Sequence, residues 1–274
     1  MTRRAWVLNL DADQELALGA SYAPSKRTLA PLRRHAAALA SSLPDGDVWV
    51  DGDGDPRGLT GVCWCPTPRA LRRLAEAGAT IPDAPSFDIL RQVNGRSFSH
   101  ALLALEGETR LDDANAARRL LATGRWIVHR EHTFAGRGHR FVDGPPSEAD
   151  LAWVDGGLAL GPLVAAPRLA LELEVALHGY VKDASVDRGE VTMQRVDGTQ
   201  WRESVRAPDA LGRAETRALH DALDRVALAL RDTGYRGPFG VDAFRHAGGF
   251  HPLSEINARY SMGWATGMGG WGPY

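Results

Sequence analysis

The sequence predicts an α/β fold in which a small N-terminal parallel sheet is followed by lobes built from antiparallel hairpins with helices against them. Three observations carry this. Strands and helices alternate through the first third of the chain, a strand-loop-strand unit follows at Trp126 to Val142, and an acidic hairpin lies within Gly240 to Gly263. A chain of 274 residues with 44% hydrophobic content is long enough for two compact domains.

The N-terminal run AWVLNLDADQELALGASYAPSKRTLAPLRRHAAAL opens with a buried strand, passes a polar turn and enters a helix whose start carries Pro24 and Ser25. Val48 to Val50 reads as a second strand and Gly61 to Cys65 as a third, with the amphipathic helix PTPRALRRLAEAG after it. Strands and helices alternating at this length imply a parallel sheet with helices on its faces. Cys63 and Cys65 flank Trp64, too close for an unstrained disulfide and too few for a metal cage, so they read as buried thiols. Ser86 to Leu103 reads as helical with a weak point at Asn94-Gly95. Leu111 to Thr123 reads as a helix with Asp112 and Asp113 in its first turn, where they favour the dipole.

Trp126 to Val128 is a buried strand, followed by a polar loop ending in Gly136-Arg137-Gly138 and a return strand from Arg140 to Val142. Glycines let backbone approach a phosphate, and successive amide N–H groups in such a turn form an anion-binding concavity. Pro145-Pro146, Ser147, Glu148 and Asp150 start a short helix ending near Gly156-Gly157. In Leu169 to Val181 the alternation places Leu171, Leu173, Val175 and Leu177 inward, with Glu172, Glu174 and His178 on the other face. Val191 to Gln194 and Gln200 to Val205 continue as antiparallel strands. Ala214 to Asp232 is an amphipathic helix with Leu219, Leu223, Val226 and Leu230 at helical spacing.

The acidic hairpin carries the chemistry. Asp242 follows an apolar run, and Glu255 and Asn257 flank Ile256 in a second run beyond Gly248-Gly249. Residues two apart in a strand share a face, so Glu255 and Asn257 point together, and a turn at the glycine pair brings Asp242 alongside. Two carboxylates and an amide oxygen make a hard-cation set of the kind Mg²⁺ takes, completing its shell with water and substrate phosphates.

These motifs resemble the ATP-grasp superfamily, whose members carry an Asp on one strand, Glu-x-Asn on the next and a frequent Asn-x-Arg, matched here by Asn257 and Arg259. The resemblance implies an ATP-grasp domain over 96–274, with a glycine-loop lobe at about 110–165 and a metal-site lobe at about 166–274, after a preceding α/β domain over 1–95. It implies ATP and Mg²⁺ as cofactors, with the metal on Asp242, Glu255 and Asn257. Phosphates would lie against Gly136, Arg137 and Gly138, near His129 and Arg130, with Arg259 as the catalytic guanidinium. Glu174 stands where related proteins have an acidic residue near the nucleotide, although a solvated strand face accounts for it equally. NLDADQELA with Tyr22 and Pro24 further resembles a little-described bacterial ATP-grasp group.

The implied reaction joins a small-molecule or peptide carboxylate to an amine through an acyl phosphate. Two positions depart from the family pattern. His129 stands where a Lys usually reaches the phosphates, making phosphate contact pH-dependent if the imidazolium takes that role, and Ala166 precedes Pro167 where a Glu is frequent. These departures keep open a non-catalytic nucleotide-binding or interaction module on the same scaffold.

A net charge of −2 leaves no basic footprint for nucleic acid, and no run approaches the ~18 apolar residues of a membrane span. The expected setting is cytoplasmic, with a homodimer allowed. Scattered histidines without His-x-x-x-His argue against a zinc enzyme, and no Gly-x-Ser-x-Gly elbow occurs. His251, beside Pro252, reads as a surface residue. The C-terminal run GWATGMGGWGPY reads either as a frayed tail or as a flap in which Trp264 and Trp271 cover the site.

Overall fold

Strand β1 (Arg4–Val7) is nearly fully buried and pairs in parallel with β2 (Val48–Trp49) on one side and β3 (Thr60–Cys63) on the other. The chain reaches them through α1 (Ala12–Leu18), α2 (Lys26–Ala40) and, after β3, α3 (Pro68–Glu76). The computed structural model describes residues 2–134, 137–197 and 200–272. Cys63 and Cys65 are both buried, and burial pushes the Cys63 thiol up to about 12 and raises that of Cys65 as well, leaving both protonated and inert.

The helical run from residue 86 breaks at Asn94-Gly95 into α4 (Phe87–Val93) and α5 (Arg96–Leu102). A Cβ at Gly95 would fall 2.2 Å from a carboxylate oxygen of Glu131, so a side chain there would displace that carboxylate. Asn94 uses the break to reach Ala258, accepting from its N–H at 2.9 Å and donating to its carbonyl at 3.3 Å.

A four-stranded antiparallel sheet follows, ordered β4-β7-β5-β6, from β4 (Thr109–Leu111), β5 (Arg125–Phe134), β6 (Arg137–Asp143) and β7 (Leu163–Pro167). Helices α6 (Ala114–Leu121) and α7 (Glu148–Leu158) bury one face of it around Leu111, Val128, Val142 and Leu163. Leu111 belongs to β4 instead of opening the helix. Asp113 is the N-cap of α6, accepting from the N–H groups of Asn115 and Ala116 at 2.9 Å. Asp113→Ala is expected to cost about 1 kcal/mol in a urea unfolding series.

The third sheet has β8 (Leu171–Val181) at its centre. Its other strands are β9 (Val186–Arg188), β10 (Thr192–Asp197), β11 (Gln200–Arg206), β12 (Gly237–His246) and β13 (Gly249–Asn257), along the path β11-β10-β8-β12-β13 with β9 beside β8. Helix α8 (Arg213–Asp232) covers one face with Leu219, Leu223, Val226 and Leu230, all fully buried. The alternation expected in β8 fails at both ends. Leu171 is 48% exposed, whereas His178 is 2% exposed because α9 (Trp264–Met268) closes over its face. His251 is likewise buried, its ring 5.4 Å from that of Phe244.

Through residue 272 the C-terminal run is neither frayed nor a flap. Trp264 and Trp271 pack into an aromatic cluster with Trp6, Trp64 and Tyr260, with centroids 5.1 to 6.4 Å apart. The Trp271 indole N–H donates to Ser42 Oγ at 3.3 Å, and Arg4 donates to its carbonyl at 3.1 Å. The tail therefore joins the core shared by the first and third sheets.

Candidate active site

The hairpin of β12 and β13 turns before Gly249 and sets Asp242 directly opposite Glu255, with Gly240 opposite Asn257. Residues paired this way share a face. Both oxygens of the Asp242 carboxylate are held by amides, one by Asn257 Nδ2 at 2.9 Å and the other by Gln194 Nε2 at 2.9 Å. Ser254 fixes the turn of the strand by donating to the Asp242 carbonyl at 3.0 Å. Burial first, then the Glu255 charge, pushes the Asp242 carboxyl up to about 7 against the lowering effect of Arg259. Burial also raises Glu174, whose charge Asp242 feels.

This donor set fits a hard divalent cation. Asp242, Glu255 and the Asn257 amide oxygen are all hard ligands, and the raised Asp242 carboxyl marks a place short of positive charge. Among the described residues no cluster of three or more His, Cys, Asp or Glu side chains forms a metal cage. Mg²⁺ accepts that poverty, because water and phosphate oxygens normally complete its shell.

Two guanidinium groups bracket the carboxylates. Arg259 is partly buried, its side chain 13% exposed, and forks onto Asp13 of α1, with Nε donating to Oδ1 at 3.1 Å and Nη2 to Oδ2 at 2.8 Å, while Nη1 donates to the Tyr260 carbonyl at 3.2 Å. Three of its five N–H donors are thereby engaged, leaving one on each terminal nitrogen for an anion. Arg96, which sequence reasoning missed, opens α5 and joins the two hairpin lobes. Its Nη2 lies 3.4 Å from Glu255 Oε2 and 3.2 Å from His129 Nδ1, and its Nη1 donates to the Ser254 carbonyl. The only sequence signal for it was position: an arginine directly after the Asn94-Gly95 break.

His129 lies on the face of β5 opposite to the α6 and α7 helices, beside His139. Burial, then Arg96 and His139, hold its ring well below the usual histidine range, so it is neutral and accepts from Arg96. The expectation of a phosphate-binding imidazolium therefore has no proton to rest on near neutral pH. Arg130 points the other way, its guanidinium 4.6 Å over the Trp153 ring of α7. Gly138 lies in β6, after the turn, with φ 89°, a conformation glycine adopts freely. Gly136 and the side chain of Arg137 lie outside the described residues. Glu174 pairs with Phe244 across β8 and β12, one register step from Asp242 on the same face.

No protein-family model matches the chain, and no curated protein matches it in sequence. Solved structures do match over nearly the whole chain. N5-carboxyaminoimidazole synthetase from Staphylococcus aureus, complexed with ADP, superposes with a TM-score of 0.54 at 12% identity over 94% of this chain and 71% of that one. D-alanyl-alanine synthetase A from Vibrio cholerae does so with a TM-score of 0.58 at 12% identity, over 97% and 91%. The chain has the ATP-grasp fold. N5-carboxyaminoimidazole ribonucleotide synthetase from Thermus thermophilus agrees at a TM-score of 0.53 and 17% identity, over 93% and 71%. Among the described residues no helix is long and apolar enough to cross a membrane.

Proposed function

We propose that the protein is an ATP- and Mg²⁺-dependent carboxylate-amine ligase. The observation that carries the reading is the facing pair Asp242 and Glu255, with Asn257 on the same hairpin face and a guanidinium on either side. Asp242, Glu255 and Asn257 would hold Mg²⁺, which supplies charge neutralisation on the ATP phosphates. Arg96 and the two unengaged N–H groups of Arg259 would stabilise charge on the transferring γ-phosphoryl. Phosphoryl transfer is catalysed chiefly by positioning and electrostatics, so this cationic frame suffices. Transfer to a substrate carboxylate gives an acyl phosphate, and the attacking amine displaces inorganic phosphate to form the amide. In this reading residues 1–95 form the preceding domain, which contributes Asp13 to hold Arg259, and residues 96–274 form the ATP-grasp domain.

A non-catalytic nucleotide-binding or interaction module on the same scaffold is the second reading, favoured by the neutral His129 and by Arg96 bridging Glu255 to the glycine-loop lobe. Calorimetric titration with ATP separates the two. A ligase binds ATP at least tenfold more tightly with Mg²⁺ than without it. Absence of binding at millimolar ATP in either condition refutes the ligase reading.

A further inference from the structure

Between α1 and the ends of β5 and α7 lies a cavity of ≈ 230 Å³. It holds roughly eight waters' volume, the size of a small metabolite. Its walls are mainly aliphatic, with Ala17, Leu18, Leu160 and Pro162, and Gly138 of the glycine turn also borders it. Four charged or titratable side chains line it: Asp13, Arg130, Glu131 and His132.

Two of these four are already satisfied. Asp13 is engaged by the Arg259 fork, and Glu131 accepts from the Ser97 N–H at 3.3 Å and from its hydroxyl at 2.7 Å. The other two are not. Arg130 rests on Trp153 with one long contact of 3.5 Å to its carbonyl, forms no ion pair among the described residues, and leaves its buried Nε without a partner. His132 also has a buried nitrogen, Nδ1, without a partner. Burial lowers His132 below the usual histidine range, so the ring is neutral. The Asn94 backbone carbonyl takes its other N–H, which leaves Nδ1 as a bare lone pair. A buried donor and a buried acceptor left unsatisfied are each costly, and their presence in one cavity calls for a ligand that satisfies both.

We propose that this cavity is the binding chamber for a small aliphatic α-amino acid, its ammonium donating to His132 Nδ1 and its carboxylate accepting from Arg130. The zwitterion matches the one unpaired acceptor and the one unpaired cation, and its side chain lies against Leu18 and Leu160. Two residues along a β-strand span about 6.6 Å, which an amino acid with a hydrogen bond at each end bridges. Asp13 forms one wall of the chamber and is also the residue that holds Arg259. The role of the amino acid as co-substrate rests on the ligase reading; its binding does not.

The test is calorimetry on the full chain with racemic valine, isovalerate and isobutylamine, the last two being valine without its ammonium and without its carboxylate. Valine is expected to bind at least tenfold more tightly than either half. His132→Phe is expected to reduce valine to the affinity of isovalerate. Leu160→Trp, at an exposed position on the cavity rim, is expected to block valine by volume while Mg²⁺-ATP binding is unchanged. No binding of valine to the parent protein, a half-molecule binding as tightly as valine, or undiminished valine binding in Leu160→Trp would overturn the proposal. Valine binding in a protein that fails to bind ATP leaves the chamber standing and removes the ligase.

Discussion

Glu255→Gln is expected to lower Mg²⁺-dependent ADP release by a hundredfold or more, about 2.7 kcal/mol of transition-state stabilisation, and to abolish the strengthening of ATP binding by Mg²⁺. The substitution keeps the shape of the side chain and removes the one carboxylate that faces Asp242 across the hairpin. The fold is expected to persist. The Glu255 side chain is 34% exposed and its contact with Arg96 is a long 3.4 Å, so little stability is lost with the charge, and Asp242 is relieved of a like-charged neighbour. ADP release is followed with ATP, Mg²⁺ and a mixture of racemic amino acids, and folding by thermal unfolding. A folded variant that releases ADP at the parental rate removes Glu255 from the metal site.

The hairpin was legible in the sequence because strand alternation is a local code. Once Asp242, Glu255 and Asn257 sit on two apolar runs joined by a glycine pair, period two and a tight turn set their common face. The break at Asn94-Gly95 was visible for the same reason, since glycine weakens a helix wherever it stands. Arg96 was not legible. Its partners are Glu255 and Ser254 on one side and His129 on the other, and their approach depends on how three separate elements pack. Nothing within a few residues of Arg96 distinguishes it from the other arginines of the chain.

His129 and Arg130 show the same limit more sharply. Adjacent residues on a strand face opposite ways, so only one of them can reach the cleft. The sequence offered both as phosphate ligands. The sheet assigns His129 to the cleft side and Arg130 to the Trp153 side, and the burial that makes His129 neutral is a property of the assembled lobes. The C-terminal tail failed for a different reason. Its glycines argue against regular structure, but Trp264 and Trp271 each bury a large apolar surface, which outweighs the loss of chain entropy when Trp6, Trp64 and Tyr260 provide a matching surface.

Asp242→Asn is expected to stabilise the metal-free protein above neutral pH by up to about 4 kcal/mol. The carboxyl is raised from 3.8 to about 7 in the folded chain, so between those values the folded state binds a proton that the unfolded state has released. Its contribution to stability is full below about pH 3.8 and is lost as pH rises through 7, at about 1.36 kcal/mol for each pH unit between the two values. Burial lowers His178 to about 4, which gives an opposing trend as pH falls, but that contribution is common to both proteins and cancels in their difference. The amide retains the hydrogen-bonding shell. Its oxygen accepts from one of Gln194 and Asn257, and the other amide turns to accept from the new NH₂. Urea unfolding of both proteins between about pH 4 and 8 reads the effect directly. The stability difference is expected to be near zero at the acid end, to grow through neutrality and to level off above it. Added Mg²⁺ is expected to stabilise the parent most at the basic end, where the carboxylate is ionised, and to leave the Asn variant unchanged. A difference that stays constant across this range would mean that Asp242 is ionised throughout, and the facing carboxylates would no longer account for the site's demand for a cation.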